Sequence, residues 1–245
     1  MWSLARAVSP RIDEVAQTGS TNADLTRALR EGEDWPHLGV LLTRDQRGGR
    51  GRLDRTWVAP AGSALAVSVV VRAEQIPAER RGWIPLVAGV AMARAASAQL
   101  PRPAGVKWPN DVLVGERKLS GILAEVATAD AIVVGSGVNT RMTAAQLPVD
   151  TATSFAVEGV EADEDALLAG YLRGLRDLLA RLERGSVRDD VRAACVTLGR
   201  AVTVHLPSGR LEGTAVDLAD DGSLVVDAGE RVAVSAGDVV HVRPR

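Results

Sequence analysis

Apolar residues recur at helical or strand spacing along most of the first 195 positions of the chain. Residues 83–100 form an Ala-rich apolar stretch, and residues 164–184 repeat apolar side chains at helical spacing, so both are predicted helices. Residues 21–30 predict a shorter helix, whose first four residues, Thr21-Asn-Ala-Asp24, match a capping box. Apolar or β-branched runs predict strands at residues 39–43, 65–72, 111–114, 118–126 and 131–138.

The pattern changes near residue 196, where short alternating segments replace the longer apolar ones. Residues 201–206, 211–218, 224–227 and 231–235 read as strands, and tight turns containing Gly209 or Gly222 separate the first three. Short alternating strands joined by Gly turns are typical of a small β-barrel. We therefore predict two domains, residues 1–195 and residues 196–245.

Composition narrows the classes of protein that fit. A formal net charge of −2 argues against a chain built mainly to bind nucleic acid or an anionic membrane. The single cysteine, Cys195, lies in a helical-looking stretch at 190–197; it excludes an internal disulfide framework and is expected to be a buried structural thiol. No run reaches the roughly 20 apolar residues of a membrane span, and residues 1–11 lack a signal-peptide core. A cytoplasmic protein is the resulting expectation.

The segment 47–57, Arg-Gly-Gly-Arg-Gly-Arg-Leu-Asp-Arg-Thr-Trp, is the first candidate for chemistry. Its glycines let the backbone bend around a ligand, successive amides can form an anion-binding nest, and arginine binds phosphate or carboxylate through two hydrogen bonds. Trp57 offers a flat face for a purine. Taken alone, the segment also fits a solvated loop or an RNA-binding Arg-Gly segment, although the low net charge and the lack of repeated Arg-Gly units weaken the RNA interpretation.

Three further motifs follow at the ends of predicted strands: Lys107-Trp-Pro-Asn-Asp111, Lys118-Leu-Ser-Gly-Ile-Leu-Ala-Glu125 and Gly135-Ser-Gly-Val-Asn139. Gly121 in the second motif would permit close approach of a ligand. Each motif alone also fits a polar turn or a solvated strand end. The chain has 29 basic residues, and its only two lysines stand in these motifs. Codon bias toward arginine explains most of that imbalance, but an ammonium and a guanidinium are not interchangeable at a close-fitting anion site.

These motifs together, in this order, resemble those of the bacterial biotin protein ligases over about residues 15–140, and the C-terminal β-domain extends the resemblance. The resemblance implies an α+β fold: a catalytic domain like that of class II aminoacyl-tRNA synthetases, with a mixed, mainly antiparallel sheet, followed by an SH3-like barrel. It implies that ATP activates biotin to biotinyl-5'-AMP. Biotin is then transferred to a lysine of the biotin carboxyl carrier domain of an acyl-CoA carboxylase.

The resemblance also carries residue roles. Lys118 is expected to contact the biotin carboxylate and the phosphate, and Arg52 to lie nearest the adenylate phosphate, so these two are the expected catalytic residues. The residues expected to hold the biotin head and its approach are Ser20, Thr21, Asn22 and Gln46, and those on the loop are Gly49, Arg50, Gly51 and Arg52. Those on the nucleotide side are Trp57, Asn110, Asp111 and Asn139, and Lys118 and Gly121 complete the expected binding set.

Mg²⁺ is expected to arrive with ATP rather than in a dedicated site, because His37, His205 and His241 are scattered along the sequence. The chain departs from the family pattern at Leu53 and Asp54, where a further basic residue and a glycine are common. That departure puts the second half of the loop in question and makes Asp54 a candidate ion-pair partner for Arg52 or Arg55.

Some relatives carry an N-terminal helix-turn-helix that represses biotin genes, and this sequence begins almost directly at the catalytic motifs. We therefore expect no operator binding, no membrane association, and a monomer or weak homodimer. Lipoate ligases, which share the ancestral fold and adenylation chemistry, are the nearest enzymatic alternative, and a non-catalytic RNA-binding module is a more distant one.

Overall fold

The computed structural model describes residues 2–53, 55–57, 59–206, 209–235 and 237–242. Within these ranges the chain forms two main β-sheets and five α-helices. The helices are α1 (Ser3–Arg6), α2 (Thr21–Arg30), α3 (Ile84–Ser97), α4 (Glu164–Glu183) and α5 (Arg188–Ala194).

The larger sheet has seven strands: β1 (Ile12–Glu14), β2 (Val40–Thr43), β5 (Leu65–Arg72), β6 (Ala104–Lys107), β7 (Asp111–Val114), β8 (Arg117–Val126) and β9 (Ala131–Val138). Their order is β1-β2-β5-β9-β8-β7-β6. Only the β1–β2 pair is parallel, which confirms the prediction of a mixed, mainly antiparallel sheet. Two short strands, β3 (Gly49–Arg50) and β4 (Thr56–Trp57), form a separate hairpin out of the predicted Gly/Arg loop.

Helices cover both faces of the larger sheet. Helices α3 and α4 pack against each other on one face, where nearly every residue of α3 is buried and α4 buries leucines at helical spacing. Helix α2 lies on the other face and buries Leu25 and Leu29 against Trp35, Val70 and Val133. Because α2 covers only part of its face, the remainder of that face is open for a site.

The C-terminal residues form a five-stranded antiparallel sheet in the order β13-β12-β11-β10-β14. Its strands are β10 (Ala201–Leu206), β11 (Gly209–Leu218), β12 (Leu224–Asp227), β13 (Arg231–Val234) and β14 (Asp238–His241). The four predicted strands are present, whereas β14 was not predicted. Inward-facing Val202, Val204, Ala215, Val226 and Val239 are buried, which follows from their alternation along each strand.

Two local predictions are wrong in detail. Ser20, not Thr21, caps α2: its backbone is extended and its side chain accepts from the Ala23 N–H at 3.3 Å. Asp24 therefore does not close a capping box and instead accepts a hydrogen bond from the Thr18 hydroxyl. Cys195 is buried as predicted but lies just past the end of α5, in an isolated bridge with Val106.

Two tryptophans join the sheets. Trp108 Nε1 donates to the Gly222 carbonyl oxygen at 3.0 Å, and Trp83 Nε1 donates to the Asp220 carbonyl oxygen at 2.7 Å. A Cβ built at Gly82 would lie 2.5 Å from the Asp221 carbonyl oxygen, so the turn 220–222 rests directly on the larger domain. Across the described ranges, every helix is too short or too polar to cross a membrane.

Candidate functional site

A row of small residues crosses the open face of the seven-stranded sheet. Strand register places Ala66 beside Gly137 and Gly137 beside Gly121. The row continues to Asp111 and then to Lys107 on the edge strand β6. Because cross-strand neighbours lie about 5 Å apart, a trough of minimal side chains leads to a carboxylate and an ammonium. All five residues line one cavity.

The β3–β4 hairpin covers this trough. Gly49 pairs with Trp57, and a Cβ built at Gly137 would lie 2.5 Å from Trp57 Cε2, so the indole rests on bare backbone of β9. Arg50 Nη2 lies 3.1 Å from Glu125 on β8, which ties the hairpin to the sheet. The trough therefore has a roof whose aromatic face is positioned by a glycine opposite it.

Polar groups at the start of α2 close one end of the cavity. Beside the capping residue Ser20, the Thr21 N–H donates to Gln46 Oε1 at 2.9 Å. Ser68 Oγ donates to Asn22 Oδ1 at 2.6 Å, and Asn22 Nδ2 donates to a carbonyl oxygen of β8 at 3.1 Å. These bonds fix the orientation of the Asn22 and Gln46 side-chain amides, which border the cavity, and fixed amides are the condition for selective hydrogen bonding to a ligand.

Lys118 lies at the start of β8, with Nζ 2.5 Å from Asp111 Oδ1. A Cβ built at Gly121 would lie 3.1 Å from Nζ, so the glycine leaves room for the ammonium. Lys118 borders both the first cavity and a second, adjoining cavity, and Asp111 and Trp57 border both as well. The ammonium therefore lies at the junction of two adjoining cavities.

The predicted asparagines lie on either side of that junction. Asn110 lines the first cavity, and its Nδ2 donates to the Ile122 carbonyl oxygen at 2.7 Å, which holds the Lys107–Asp111 turn on β8. Asn139 lines the second cavity, and its Nδ2 donates to the Thr153 carbonyl oxygen at 2.9 Å.

The turn of the hairpin brings two arginines to the cavity. The Gly51 N–H donates to the Arg55 carbonyl oxygen at 2.6 Å, and the Arg55 N–H donates to the Arg52 carbonyl oxygen at 3.2 Å. The Arg55 guanidinium forms an ion pair with Asp238 from the C-terminal sheet, which raises the pKa of Arg55. Burial lowers the pKa of Arg52, while the charges of Asp238 and Asp111 act in the opposite direction.

The structure brings the predicted site together. Ser20, Thr21, Asn22 and Gln46 stand at the α2 end of the first cavity; the other lining residues from the predicted set are Arg50, Gly51, Arg52, Trp57, Asn110, Asp111, Lys118 and Gly121. Asn139 lines only the second cavity. Gly49 lines neither, since a Cβ there would meet the Trp57 carbonyl oxygen at 2.5 Å. Asp54, suggested as a partner for Arg52 or Arg55, lies outside the described residues.

Sequence reasoning missed other lining residues. Gly137 recurs two positions after Gly135, and that spacing is a signal that could have been read. Ser68, a polar residue inside an apolar strand, was missed too; it does not line the cavity but donates a hydrogen bond to Asn22, which does. Lys107 stood in a chosen motif but was not assigned to the site, and it lines the same cavity as Lys118. Asp238 left none, because it comes from a strand that was not predicted.

The chain is similar to known proteins in both sequence and fold. The sequence profile of the biotin/lipoate A/B protein ligase family matches residues 15–139, and the biotin protein ligase C-terminal domain profile matches residues 197–242. The chain is 42% identical to the biotin–[acetyl-CoA-carboxylase] ligase of Mycobacterium tuberculosis over 243 residues, covering 95% of this chain and 90% of that protein.

Two further ligases are similar to this chain, one in sequence and one in fold. The chain is 37% identical to the bifunctional ligase/repressor BirA of Escherichia coli, over 73% of this chain and 54% of that protein. The biotin protein ligase of Aquifex aeolicus, solved in complex with biotin and ATP, superposes with a TM-score of 0.80 at 24% identity, covering 96% of this chain and 99% of that one.

The fold and the site thus define an α+β protein with a class II synthetase-like catalytic domain and an SH3-like C-terminal barrel, which confirms the predicted fold class. The chain belongs to the biotin/lipoate A/B protein ligase family.

Proposed function

We propose that the chain is a biotin protein ligase, which joins biotin to a lysine of a carrier protein through biotinyl-5'-AMP. One observation carries the proposal: two adjoining cavities share Lys118 and Asp111 in their lining, under a hairpin that supplies Arg52 and Trp57. That arrangement suits two anionic substrates whose reacting groups must meet at one point. The 42% identity to a biotin–[acetyl-CoA-carboxylase] ligase supports biotin as the acyl substrate.

In the first half-reaction, a biotin carboxylate oxygen attacks the α-phosphorus of ATP, and pyrophosphate leaves. Two anions approach each other in this step, so cations placed at the junction offset their repulsion and stabilise the charge that develops on the phosphoryl oxygens. Lys118 borders both cavities and is assigned to the carboxylate and the phosphate together. Arg52, carried by the turn of the hairpin, is assigned to the adenylate phosphate.

The two ends of the site divide between the substrates. Ser20, Thr21, Asn22 and Gln46 are assigned to the polar head of biotin, because their hydrogen bonds fix donors and acceptors at the α2 end of the trough. The residues assigned to the nucleotide side are Trp57, Asn110, Asp111 and Asn139. Gly51 in the hairpin and Gly121 in the trough allow the backbone to approach the ligand closely, and Arg50 borders the same cavity. Gly49, which lines neither cavity, is assigned to the close packing of the hairpin against Trp57.

In the second half-reaction, the amine of a carrier lysine attacks the acyl carbon, AMP leaves with the carbon–oxygen bonding pair, and the amine loses a proton. The adenylate is already a good leaving group, so the enzyme contributes mainly by positioning the partners. The partner is assigned as the biotin carboxyl carrier domain of an acyl-CoA carboxylase.

ATP is proposed to enter as its magnesium complex. The described residues contain no cluster of three His, Cys, Asp or Glu side chains that could hold a metal ion, so the phosphates and water would supply most of the ligands of Mg²⁺. Mg²⁺ is therefore assigned to the substrate and not to a resident site.

Pyrophosphate exchange into ATP tests the proposal and its rivals. We expect exchange that depends on biotin, at least a hundredfold above exchange with lipoate. Exchange with lipoate alone would assign a lipoate ligase, and exchange with neither acid would leave a binding module. The carrier domain, added last, should be labelled on one lysine only.

Further expectations accompany this function. Residues 1–195 are assigned as the catalytic unit and residues 196–245 as the C-terminal unit, with a monomer or weak homodimer in solution. The need for ATP and the buried, unpaired Cys195 support a cytoplasmic location. The net charge of −2 supports an absence of specific DNA binding, and a salt-resistant shift of operator DNA would contradict it.

A further inference from the structure

Asp238 places a carboxylate on a cavity that must receive phosphates. It is the first residue of β14, and Gly237, Asp238 and Val239 all line the cavity. A negative charge there opposes the binding of an anion unless another group neutralises it. Arg55 supplies that group through its ion pair with Asp238.

The carboxylate is held firmly to the C-terminal sheet. Asp238 pairs with His205 and Val239 pairs with Val204 in the β10–β14 register. A Cβ built at Gly237 would lie 2.8 Å from Val204 Cγ1 and 3.1 Å from the His205 carbonyl oxygen, so the chain before β14 is pressed against β10. The C-terminal sheet in turn is anchored on the larger domain by the indoles of Trp83 and Trp108.

Arg55, the other partner of the ion pair, lies in the turn of the short β3–β4 hairpin. The β3–β4 hairpin has two paired positions, and Leu53 in its turn adopts a positive φ of 53°, which is unfavourable for a branched side chain. The Arg55 backbone closes that turn, since its carbonyl oxygen accepts from Gly51 and its N–H donates to Arg52. Because these bonds join Arg55 to Gly51 and Arg52, a displacement of Arg55 would also displace the segment that carries Arg52.

We propose that Asp238 is a positioning residue, through which the C-terminal sheet holds the hairpin turn over the site and so controls how long the adenylate is retained. This inference rests on the proposed ligase function. Asp238 acts through Arg55 and the Gly51–Arg55 turn, and it fixes the position of Arg52 before the phosphate is present. The ion pair is partly exposed, with Arg55 62% and Asp238 32% accessible, so its contribution is modest.

The test separates formation of the adenylate from its escape. With biotin and ATP but no carrier, the unaltered protein should release one equivalent of pyrophosphate in a burst. A slow steady phase, whose rate is set by escape of the adenylate, should follow. In Asp238→Asn we expect the steady phase to rise roughly three- to fivefold, the change that loss of one exposed ion pair produces. The burst rate should change less than twofold, and Asp238→Glu should restore retention.

Two further variants show whether the effect passes through Arg55. Arg55→Gln should raise escape to the same extent as Asp238→Asn, and the double variant should leak no faster than either single one. Fully multiplicative effects in the double variant would overturn the proposal, because Asp238 would then act on the ligand by another route. An unchanged steady phase in Asp238→Asn would overturn it too.

The matched control is Asp220→Asn, which removes the ion pair between Asp220 and Arg188, another exposed contact between the C-terminal sheet and the larger domain. It should leave the steady phase unchanged. Equal leakage in Asp220→Asn would reduce the role of Asp238 to domain docking and overturn the proposal. Absence of a biotin-dependent burst in the unaltered protein would instead reject the ligase function itself.

Discussion

At the scale of single residues, Lys118 and Arg52 are both cationic but stand on different elements of the site. Lys118 stands on a strand of the sheet and forms an ion pair with Asp111. Arg52 stands in the turn of the hairpin and has no carboxylate within ion-pair distance among the described residues. A cation on a rigid strand is suited to stabilise a transition state, whereas a cation on the roof is suited to retain a product.

Substitution of these two residues should therefore produce different defects. Lys118→Ala should slow adenylate formation on the order of a hundredfold, corresponding to about 3 kcal/mol of transition-state stabilisation. Arg52→Gly should still form the adenylate but lose it to solvent. Burst kinetics measure the first effect, and capture of free adenylate by added amines measures the second.

Arg47→Ala is the control for this pair. Arg47 belongs to the same Gly/Arg segment but is exposed, forms an ion pair with Asp45 and does not line the cavity. Its substitution should leave both formation and retention unchanged. Equal loss of formation in Lys118→Ala and Arg52→Gly, without leakage, would contradict the division of roles.

At the scale of elements, the site depends on contact between β9 and the hairpin. Strand β9 presents Gly135 and Gly137 on the cavity face, while Ser136 between them points into the core and donates to the Tyr171 hydroxyl at 3.1 Å. The strand can therefore be packed on one face and bare on the other. The bare face admits Asn22 at one glycine and Trp57 at the other.

Gly137→Ala should displace the Trp57 indole, because the added Cβ would stand 2.5–2.6 Å from two ring carbons. We expect the KM for ATP to rise roughly tenfold, which matches loss of one aromatic stacking contact with a base. Gly19→Ala is the control, since a Cβ there meets nothing within 4 Å. Steady-state kinetics at saturating biotin measure the KM for ATP of each variant. Equal KM values for the two variants would count against Trp57 as the stacking surface.

At the scale of the whole molecule, the two sheets are joined through the motif that also builds the site. Trp108 is 2% exposed, its N–H donates to the Thr197 hydroxyl at 3.0 Å, and its indole donates to Gly222. The neighbouring residues Lys107 and Asn110 line the cavity. One pentapeptide thus sets both the site and the seating of the C-terminal sheet.

Trp108→Phe should lower the free energy of unfolding by about 1 kcal/mol beyond the loss of packing, because the buried Gly222 carbonyl oxygen loses its donor. Trp35→Phe is the matched control: its indole donates to the exposed Glu33 carboxylate at 3.2 Å, which water can replace. Urea unfolding compares the two. A loss in Trp35→Phe as large as in Trp108→Phe would contradict this assignment.

Acid should weaken the same junction through His241. Its imidazole lies 3.1 Å from the Thr197 hydroxyl, and burial, Lys107 and Arg200 lower its pKa to about 4 against the opposing charge of Glu116. The unfolded value lies near 6.5, so the unfolded chain binds the proton more tightly. The contribution of neutral His241 to the free energy of unfolding is therefore fully present above about pH 6.5. It is lost as the pH drops toward 4, and the loss is at most about 3 kcal/mol.

The variant His241→Gln should flatten that dependence. Urea unfolding of the two proteins at several values between pH 6.5 and 4.5 gives the slope of stability against pH. His37, whose pKa is lowered by burial, is present in both proteins and cancels in the comparison. Identical slopes would show that His241 does not carry the loss.

Local patterns in the sequence predict most of the helices and strands, and motif order predicts most residues of the candidate site. The periodic leucines of α4 and the β-branched run of β5 record burial locally, so their bounds were predicted within one or two residues. The residues expected to bind ligand were chosen from motif order, which carries the family resemblance, and nearly all of them line one cavity. Their roles stay a prediction.

Which distant residues meet depends on the folded arrangement of the two sheets. The register that aligns Ala66, Gly137 and Gly121 is set by packing across the sheet, and no local pattern encodes it. Asp238 reaches Arg55 across 183 positions because the C-terminal sheet is seated on Trp108. Contacts between residues so far apart in the chain form only when the two sheets pack together. Local motifs therefore predict the cations of the site but not the Asp238 carboxylate, which we propose positions Arg52.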